Sequence, residues 1–236
     1  MRILGIESSS LVASVAIVTD DCLTGEYTVN LKKTHSQTLL PMIDEVVSLL
    51  EIELDSVDAI AVSAGPGSFT GLRIGSATAK GLGFALDKKL IHIPTVDAMA
   101  YNLFGASGII CPIMDARRNQ VYTGMYHFET VFEVVRESAA MDVSQLIRQL
   151  NQLGERVIFL GDGVPVYREA LTAGLTVECL FAPAHQNRQR AGAVAALGAR
   201  YYEQGLTESA AEHAPEYLRK PQAEREREAA GLPIGD

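Results

Sequence analysis

Cysteine is scarce in this chain. The three present, Cys22, Cys111 and Cys179, are odd in number, far apart and form no CxxC pair, which argues against a disulfide framework or a zinc ribbon. Their expected role is that of small buried thiols. Long apolar runs are missing as well: none approaches the ~18–20 residues that span a bilayer. The opening stretch, Met1 to Glu7, meets an acid too early to hold the unbroken apolar core of a signal peptide. The expected location is the cytoplasm, away from membranes. Positive charge is short too, with 20 Lys and Arg against 29 Asp and Glu, a net charge of −9. A chain that grips nucleic acid alone normally shows a basic face, so any role in RNA chemistry calls for a more basic partner. None of the five histidines lies three or four residues from another, so no helix offers a two-histidine metal face. There is no Gly-x-Ser-x-Gly elbow, and no spacing ties one serine to a histidine and an acid. On these grounds no catalytic residue and no metal ligand is assigned.

What remains is a globular profile. Of 236 residues 47% are hydrophobic and 21% charged, enough for two small domains. Short apolar runs at Ile3–Glu7, Val12–Val18 and Tyr27–Leu31 predict three strands. Leu39, Ile43, Val46 and Leu50, with Leu40 and Val47 beside them, fall at helical spacing over Ser36–Leu50. A strand at Asp58–Ala64, a helix at Thr70–Leu86, a strand at Leu90–Ile93 and a helix at Val96–Phe104 follow. The same order then restarts. Strands are expected at Gly108–Met114, Val121–Phe128 and Val131–Arg136, then helix Val143–Leu153, strand Arg156–Gly161, helix Pro165–Ala173, strand Thr176–Leu180 and helix Arg190–Glu203. A three-strand meander feeding alternating helices and strands, repeated once, predicts an α/β chain. Its expected architecture is a duplicated actin-like, ribonuclease-H-like fold of two lobes, each a mixed sheet with flanking helices. The expected boundaries are 1–105 and 106–219, with a charged, flexible tail over 220–236.

The sharpest local feature is Ser63-Ala64-Gly65-Pro66-Gly67-Ser68-Phe69-Thr70-Gly71-Leu72-Arg73, a strand, a glycine-rich loop and a helix start. Such a loop can present backbone N–H groups to an anion at the positive end of a helix. It lacks the Gly-Lys-Ser/Thr of a Walker loop, and its third glycine comes one residue late for a dinucleotide fingerprint. The bland alternative is a tight turn with Thr70 as the helix N-cap. The helix itself is rich in glycine, and each interior glycine costs about 1 kcal/mol against alanine. Gly75, Ala79 and Gly83 share one small-residue face that admits another backbone closely, either this chain's own sheet or a helix of another subunit. The Leu39 to Leu50 helix carries the same ambiguity. Glu7 ends the first strand, where a carboxylate can hold Mg²⁺ through water or simply cap a turn. Asp115-Ala116-Arg117-Arg118-Asn119 is a polar turn whose arginines can bind phosphate or pair with Asp115.

Several motifs together resemble the TsaB family: Gly65 to Gly75 with Lys80-Gly81-Leu82, Asp115 to Arg118 with Val121-Tyr122, His35-Ser36-Gln37 with Leu39-Leu40-Pro41, and Pro215-Glu216-Tyr217-Leu218-Arg219. The resemblance covers nearly the whole chain. It implies a bacterial subunit, of actin-like (ASKHA) fold, of the machinery that makes threonylcarbamoyladenosine beside the tRNA anticodon. It also implies a catalytic partner, TsaD, which holds a metal through two histidines four residues apart. Thr95 and Met99 stand at the matching positions here, and neither can replace an imidazole. The older glycoprotease label attached to the family finds no peptidase site in these residues.

The resulting expectation is a non-catalytic scaffold that supports a TsaD-like subunit together with a TsaE-like ATPase. It forms a homodimer when alone, meets tRNA only within the complex, and needs no cofactor of its own. The expected partner interface comprises Leu39, Leu40, Ile43, Val46 and Val47 on one helix and Leu72, Gly75, Ala79 and Gly83 on the other, with Ala79→Arg as its test. A vestigial anion or nucleotide site would use Glu7, Ser8, Gly65, Gly67, Ser68, Thr70, Asp115, Arg117 and Arg118. The alternative is an actin-like ATP-dependent kinase or hydrolase, with ATP and Mg²⁺ at those same residues. A purely self-associating structural protein is a third possibility.

Overall fold

The computed structural model describes residues 1–128 and 131–218. The expected tail over 220–236 lies outside the described residues. Among the described residues, ten strands and six helices run in the order β1 (Arg2–Glu7), β2 (Val12–Thr19), β3 (Cys22–Asn30), α1 (His35–Leu49), β4 (Ala59–Gly65), α2 (Phe69–Leu86), β5 (Lys89–Pro94), α3 (Thr95–Tyr101), then β6 (Ile109–Asp115), β7 (Gln120–His127), β8 (Glu133–Asp142), α4 (Val143–Leu153), β9 (Val157–Leu160), α5 (Val164–Gly174), β10 (Cys179–Phe181) and α6 (Ala191–Glu203). A 3-10 turn, Leu54–Ser56, precedes β4.

The strands form two five-stranded sheets, ordered β3-β2-β1-β4-β5 and β8-β7-β6-β9-β10. The second repeats the first strand for strand. In each, the meander pairs antiparallel and the later strands pair parallel. The duplicated actin-like fold expected from element order is the fold observed. β3 starts at Cys22 rather than Tyr27. Asp20 and Asp21 take positive φ of 47° and 62° in a two-residue turn, and Thr19 then faces Cys22 across the ladder. Cys22 is therefore exposed, contrary to the buried role expected of it, whereas Cys111 is buried and its thiol is pushed up to about 12 by that burial.

Alternation along β1 explains the layers. Leu4 and Ile6 point to α1 and α2, joining Leu39, Ile43, Val46, Ile60, Val62 and Ala79 in one core. Ile3 points to the opposite face, where it meets Val194, Ala195 and Leu197 of α6. Burying each such aliphatic side chain contributes about 1.5–3 kcal/mol. Gly5 shares this second face, and a Cβ there would lie 2.4 Å from Ala191 O, so only glycine lets α6 seat.

The second sheet is covered outside by α4 and α5, through Leu146, Leu150, Tyr167 and Leu171. Its inner face meets α3 through Val96, Met99 and Ala100, and Leu103 in the turn that follows. The two crossing helices are placed differently: α3, from the first half, lies between the sheets, with Ala98 in the first sheet's core and Val96 and Met99 in the second's, whereas α6, from the second half, packs on the first sheet. This corrects the simple division at residue 105, because α6 and the segment after it belong spatially with the first sheet. Glu208 pairs with Leu90 of β5, N to O at 2.9 Å in both directions.

Candidate functional site

A cleft of about 490 Å³ opens between the lobes. From the first lobe it gathers Ser9, Ser10 and Pro66 to Phe69. From the second it takes Met114 to Arg117, Tyr122 and Asp162, and from the terminal segment Glu216 to Leu218. Among the predicted site residues, Gly67, Ser68, Asp115 and Arg117 line it.

The others do not line it. Glu7 is 1% exposed, and its Oε1 accepts 2.6 Å hydrogen bonds from both Ser9 N and Ser9 Oγ. Burial raises its pKa, and the Ser9 bonds offset part of that rise. A carboxylate committed in this way holds the β1–β2 turn rather than a water-bound Mg²⁺. Ser8 is equally committed, its Oγ donating to Gly71 O at 2.9 Å. The N-cap of α2 is Ser68, whose Oγ accepts from Gly71 N at 3.3 Å; Thr70 is exposed within the first turn, which corrects its assignment as the cap. Gly65 is buried behind the loop, with φ 131°. Arg118 is exposed outside the cleft.

The glycine stripe now has a cause. A Cβ at Gly67 would stand 2.4 Å from Ser9 O, one at Gly71 2.1 Å from Ser8 O, and one at Gly75 2.2 Å from Ser8 Oγ. These residues press the loop and α2 onto the β1–β2 turn. Ala79 and Gly83 continue the stripe inward, Gly83 against Ala210 and Leu90. The interface expected from sequence is corrected accordingly. Leu39, Ile43, Val46, Leu72, Gly75, Ala79 and Gly83 are buried in the chain's own core, and Val47 is partly buried against it. Of the nine, only Leu40 is exposed, at 53%. Ala79→Arg would test the core rather than an interface. The outward faces of the same helices carry Leu40, Leu49 (74% exposed) and Phe84 (64% exposed), with Ala77, Gly81 and Ala85.

In the second lobe, Arg117, Arg118 and Asn119 take positive φ of 63°, 57° and 59° in succession. Asp115 holds this left-handed turn: its Oδ1 accepts from Arg117 N at 2.9 Å and from Tyr167 Oη at 3.1 Å. The Arg117 guanidinium, mostly in solvent, lies 3.7 Å from Asp115. Asp162, between Gly161 and Gly163 at the end of β9, brings a second carboxylate whose pKa burial raises; its Oδ1 is buried without a hydrogen-bond partner. Sequence reasoning missed Asp162, although a strand ending in Gly-Asp-Gly before a helix was a readable signal. It also missed Glu216 and Tyr217 as site residues. Glu216 N donates to Ala64 O at 2.7 Å, and a Cβ on Gly65 would sit 2.2 Å from Glu216 O. Tyr217 packs on Phe69 with ring centroids 4.8 Å apart, and the Arg73 guanidinium covers Phe69 at 4.2 Å. The terminal segment thus lies against the glycine-rich loop. The cleft sets the carboxylates of Asp115 and Asp162 against the guanidinium of Arg117, a poor balance for a polyphosphate.

Thr95 and Met99 both sit buried on α3, one helical turn apart. No described helix is long and apolar enough to cross a membrane.

Known proteins bear on these features. The family model described as "TsaD: tRNA N6-adenosine threonylcarbamoyltransferase" matches residues 26–227. The Bacillus subtilis tRNA threonylcarbamoyladenosine biosynthesis protein TsaB is 31% identical over 95% of this chain and 96% of its own length. A Pseudomonas aeruginosa crystal structure, of an uncharacterized protein with similarity to peptidase YEAZ, superposes with a TM-score of 0.81 at 25% identity, covering 92% of this chain and 99% of that one. An Arthrobacter inorganic polyphosphate/ATP-glucomannokinase superposes with a TM-score of 0.50 at 14% identity over 86% of this chain and 99% of its own, which bears on the fold alone. With the two-lobed geometry and these relatives in agreement along nearly its whole length, the chain belongs to the TsaB family of tRNA threonylcarbamoyladenosine biosynthesis proteins.

Proposed function

We propose that this chain is a non-catalytic subunit that supports a TsaD-like transferase, working with a TsaE-like ATPase in threonylcarbamoyl transfer to tRNA. The observation that carries this reading is the terminal segment against the glycine-rich loop. Glu216 bonds to the end of β4 and Tyr217 packs on Phe69, at the place where an actin-like kinase would need open backbone N–H groups for phosphate. The acidic lining of the cleft supports the same reading. The outward faces of α1 and α2, with Leu40, Leu49 and Phe84, supply apolar surface for a partner helix pair or, in its absence, for a second copy of this chain. The net charge of −9 favours contact with tRNA only through the assembled complex, in the cytoplasm.

Size-exclusion chromatography with light scattering, on the chain alone and mixed with the TsaD-like subunit of the same organism, tests this. A homodimer that gives way to a heterodimer is expected. No complex at any salt or nucleotide concentration would overturn it. The actin-like fold also keeps an ATP-dependent kinase or hydrolase in view. Calorimetry with ATP and Mg²⁺ on the isolated chain separates the two, since saturable micromolar binding would favour the enzyme.

A further inference from the structure

A second cluster of polar side chains lies outside the cleft. His92 sits on β5, Glu208 joins β5 through its backbone bridge to Leu90, and His213 follows on the same terminal segment. One ligand atom from each of the three lies within 4.8 Å of the other two. The His213 side chain is fully buried. Its Nδ1 lies 2.6 Å from Glu208 Oε1, and its Nε2 has no hydrogen-bond partner. The His92 ring meets the His213 ring edge-on at 6.0 Å, and Glu216 Oε2 stands 3.8 Å from His92 Nε2. His92 and Glu208 also border a shallow pocket of about 410 Å³ with Pro94, Tyr201 and Leu206, which leaves an approach from solvent.

We propose that His92, Glu208 and His213 form a site for a divalent transition metal of the zinc type, with Glu216 within reach as a fourth ligand. Imidazole nitrogens with carboxylate oxygens are the donor set that zinc accepts. Zinc ligands at about 2.0–2.2 Å lie roughly 3.3 Å from one another, so rotation of half-exposed His92 and Glu208 toward buried His213 closes the set. A hydrogen-bonded clamp alone would account for His213 Nδ1. It leaves the buried Nε2 without a hydrogen-bond partner and brings the carboxylates of Glu208 and Glu216 close to His92. The ion would tie residues 208–216 to β5, and so fix the Glu216–Tyr217 pair that lines the cleft.

Tag-free full-length chain, freed of metal with a chelator, is titrated with Zn²⁺ by calorimetry and with Co²⁺ by visible absorption. One equivalent is expected to bind at about micromolar affinity or tighter, with the intense visible bands of four-coordinate Co²⁺. Amide exchange over residues 206–218 should slow on Zn²⁺ addition. His92→Gln and Glu208→Gln alter side chains that are only partly buried, and each should weaken binding at least about tenfold. Absence of saturable binding, or unchanged affinity in both variants, would overturn the proposal. So would the weak spectrum of six-coordinate Co²⁺.

Discussion

Tyr126, on β7 of the second sheet, donates a 2.7 Å hydrogen bond to Asp97 Oδ1 on α3, and both groups are buried. The pair joins the second sheet to the crossing helix supplied by the first half. Burial, with lesser repulsion from Glu137 and Glu216, raises the Asp97 carboxyl from its ordinary 3.8 to about 6, against the lowering effect of the Tyr126 bond. Between those values the folded chain holds a proton that the unfolded chain has released. This carboxyl's contribution to stability is therefore full below about pH 4, falls as pH rises toward 6, and is level above that. A shift of this size corresponds to roughly 3 kcal/mol. Asp97→Asn should flatten the dependence. Urea unfolding at pH 5 and pH 7.5 is the check: the wild type should lose stability over that interval by more than the variant, and parallel behaviour would remove Asp97 as the cause.

Two glycines on one helix are expected to respond in opposite directions. A methyl at Gly71 meets the Ser8 carbonyl, part of a backbone turn that has no room to move, so Gly71→Ala should destabilise the fold by about 2 kcal/mol or more. At Gly81 nothing lies within 4 Å, and Gly81→Ala should stabilise by about 0.5–1 kcal/mol through helix propensity. Thermal and urea melts of the two single variants decide the matter, and equal effects would undo the packing account.

The proposed partner face makes a similar contrast. Phe84→Arg changes an exposed side chain, so the monomer should stay folded by circular dichroism while affinity for the TsaD-like subunit falls at least about tenfold. Ala79→Arg places a charge at a position with no exposure and should unfold the chain instead. Calorimetric titration of folded Phe84→Arg against the partner is the measurement. Wild-type affinity would move the contact surface elsewhere.

Periodicity along the chain marks the buried Leu39, Ile43, Val46, Gly75, Ala79 and Gly83 of α1 and α2, though it includes the exposed Leu40 and passes over the buried Met42, and it does not say what buries them. A stripe of small residues at Gly75, Ala79 and Gly83 has the same spacing whether it meets a foreign helix or, as here, Ser8, the chain's own core and Ala210. Element order was legible because each half repeats the same alternation of short apolar runs and helical spacing. The seating of α3 between the sheets and of α6 on the first was not, since both read as ordinary helices following a strand. Glu7 illustrates a further limit: its position at the end of β1 was correct, yet the two bonds from Ser9 that occupy it depend on backbone geometry. Local spacing of histidines was likewise no guide to His92 and His213, which fold back together from distant points in the chain.

The seating of α6 on the first sheet has a consequence for how the molecule is made. The face of β1 that carries Ile3 and Gly5 is complete only when Ala191 to Leu197 arrive, almost two hundred residues later in synthesis. On the ribosome the early strands and α1 can assemble one side of their layer while the other side stays bare. Closure of that side waits for α6 to emerge. The first half of this protein is therefore unsuited to expression as an independent fragment, and a premature stop before α6 would release a chain with an open apolar sheet face rather than a shortened but finished lobe.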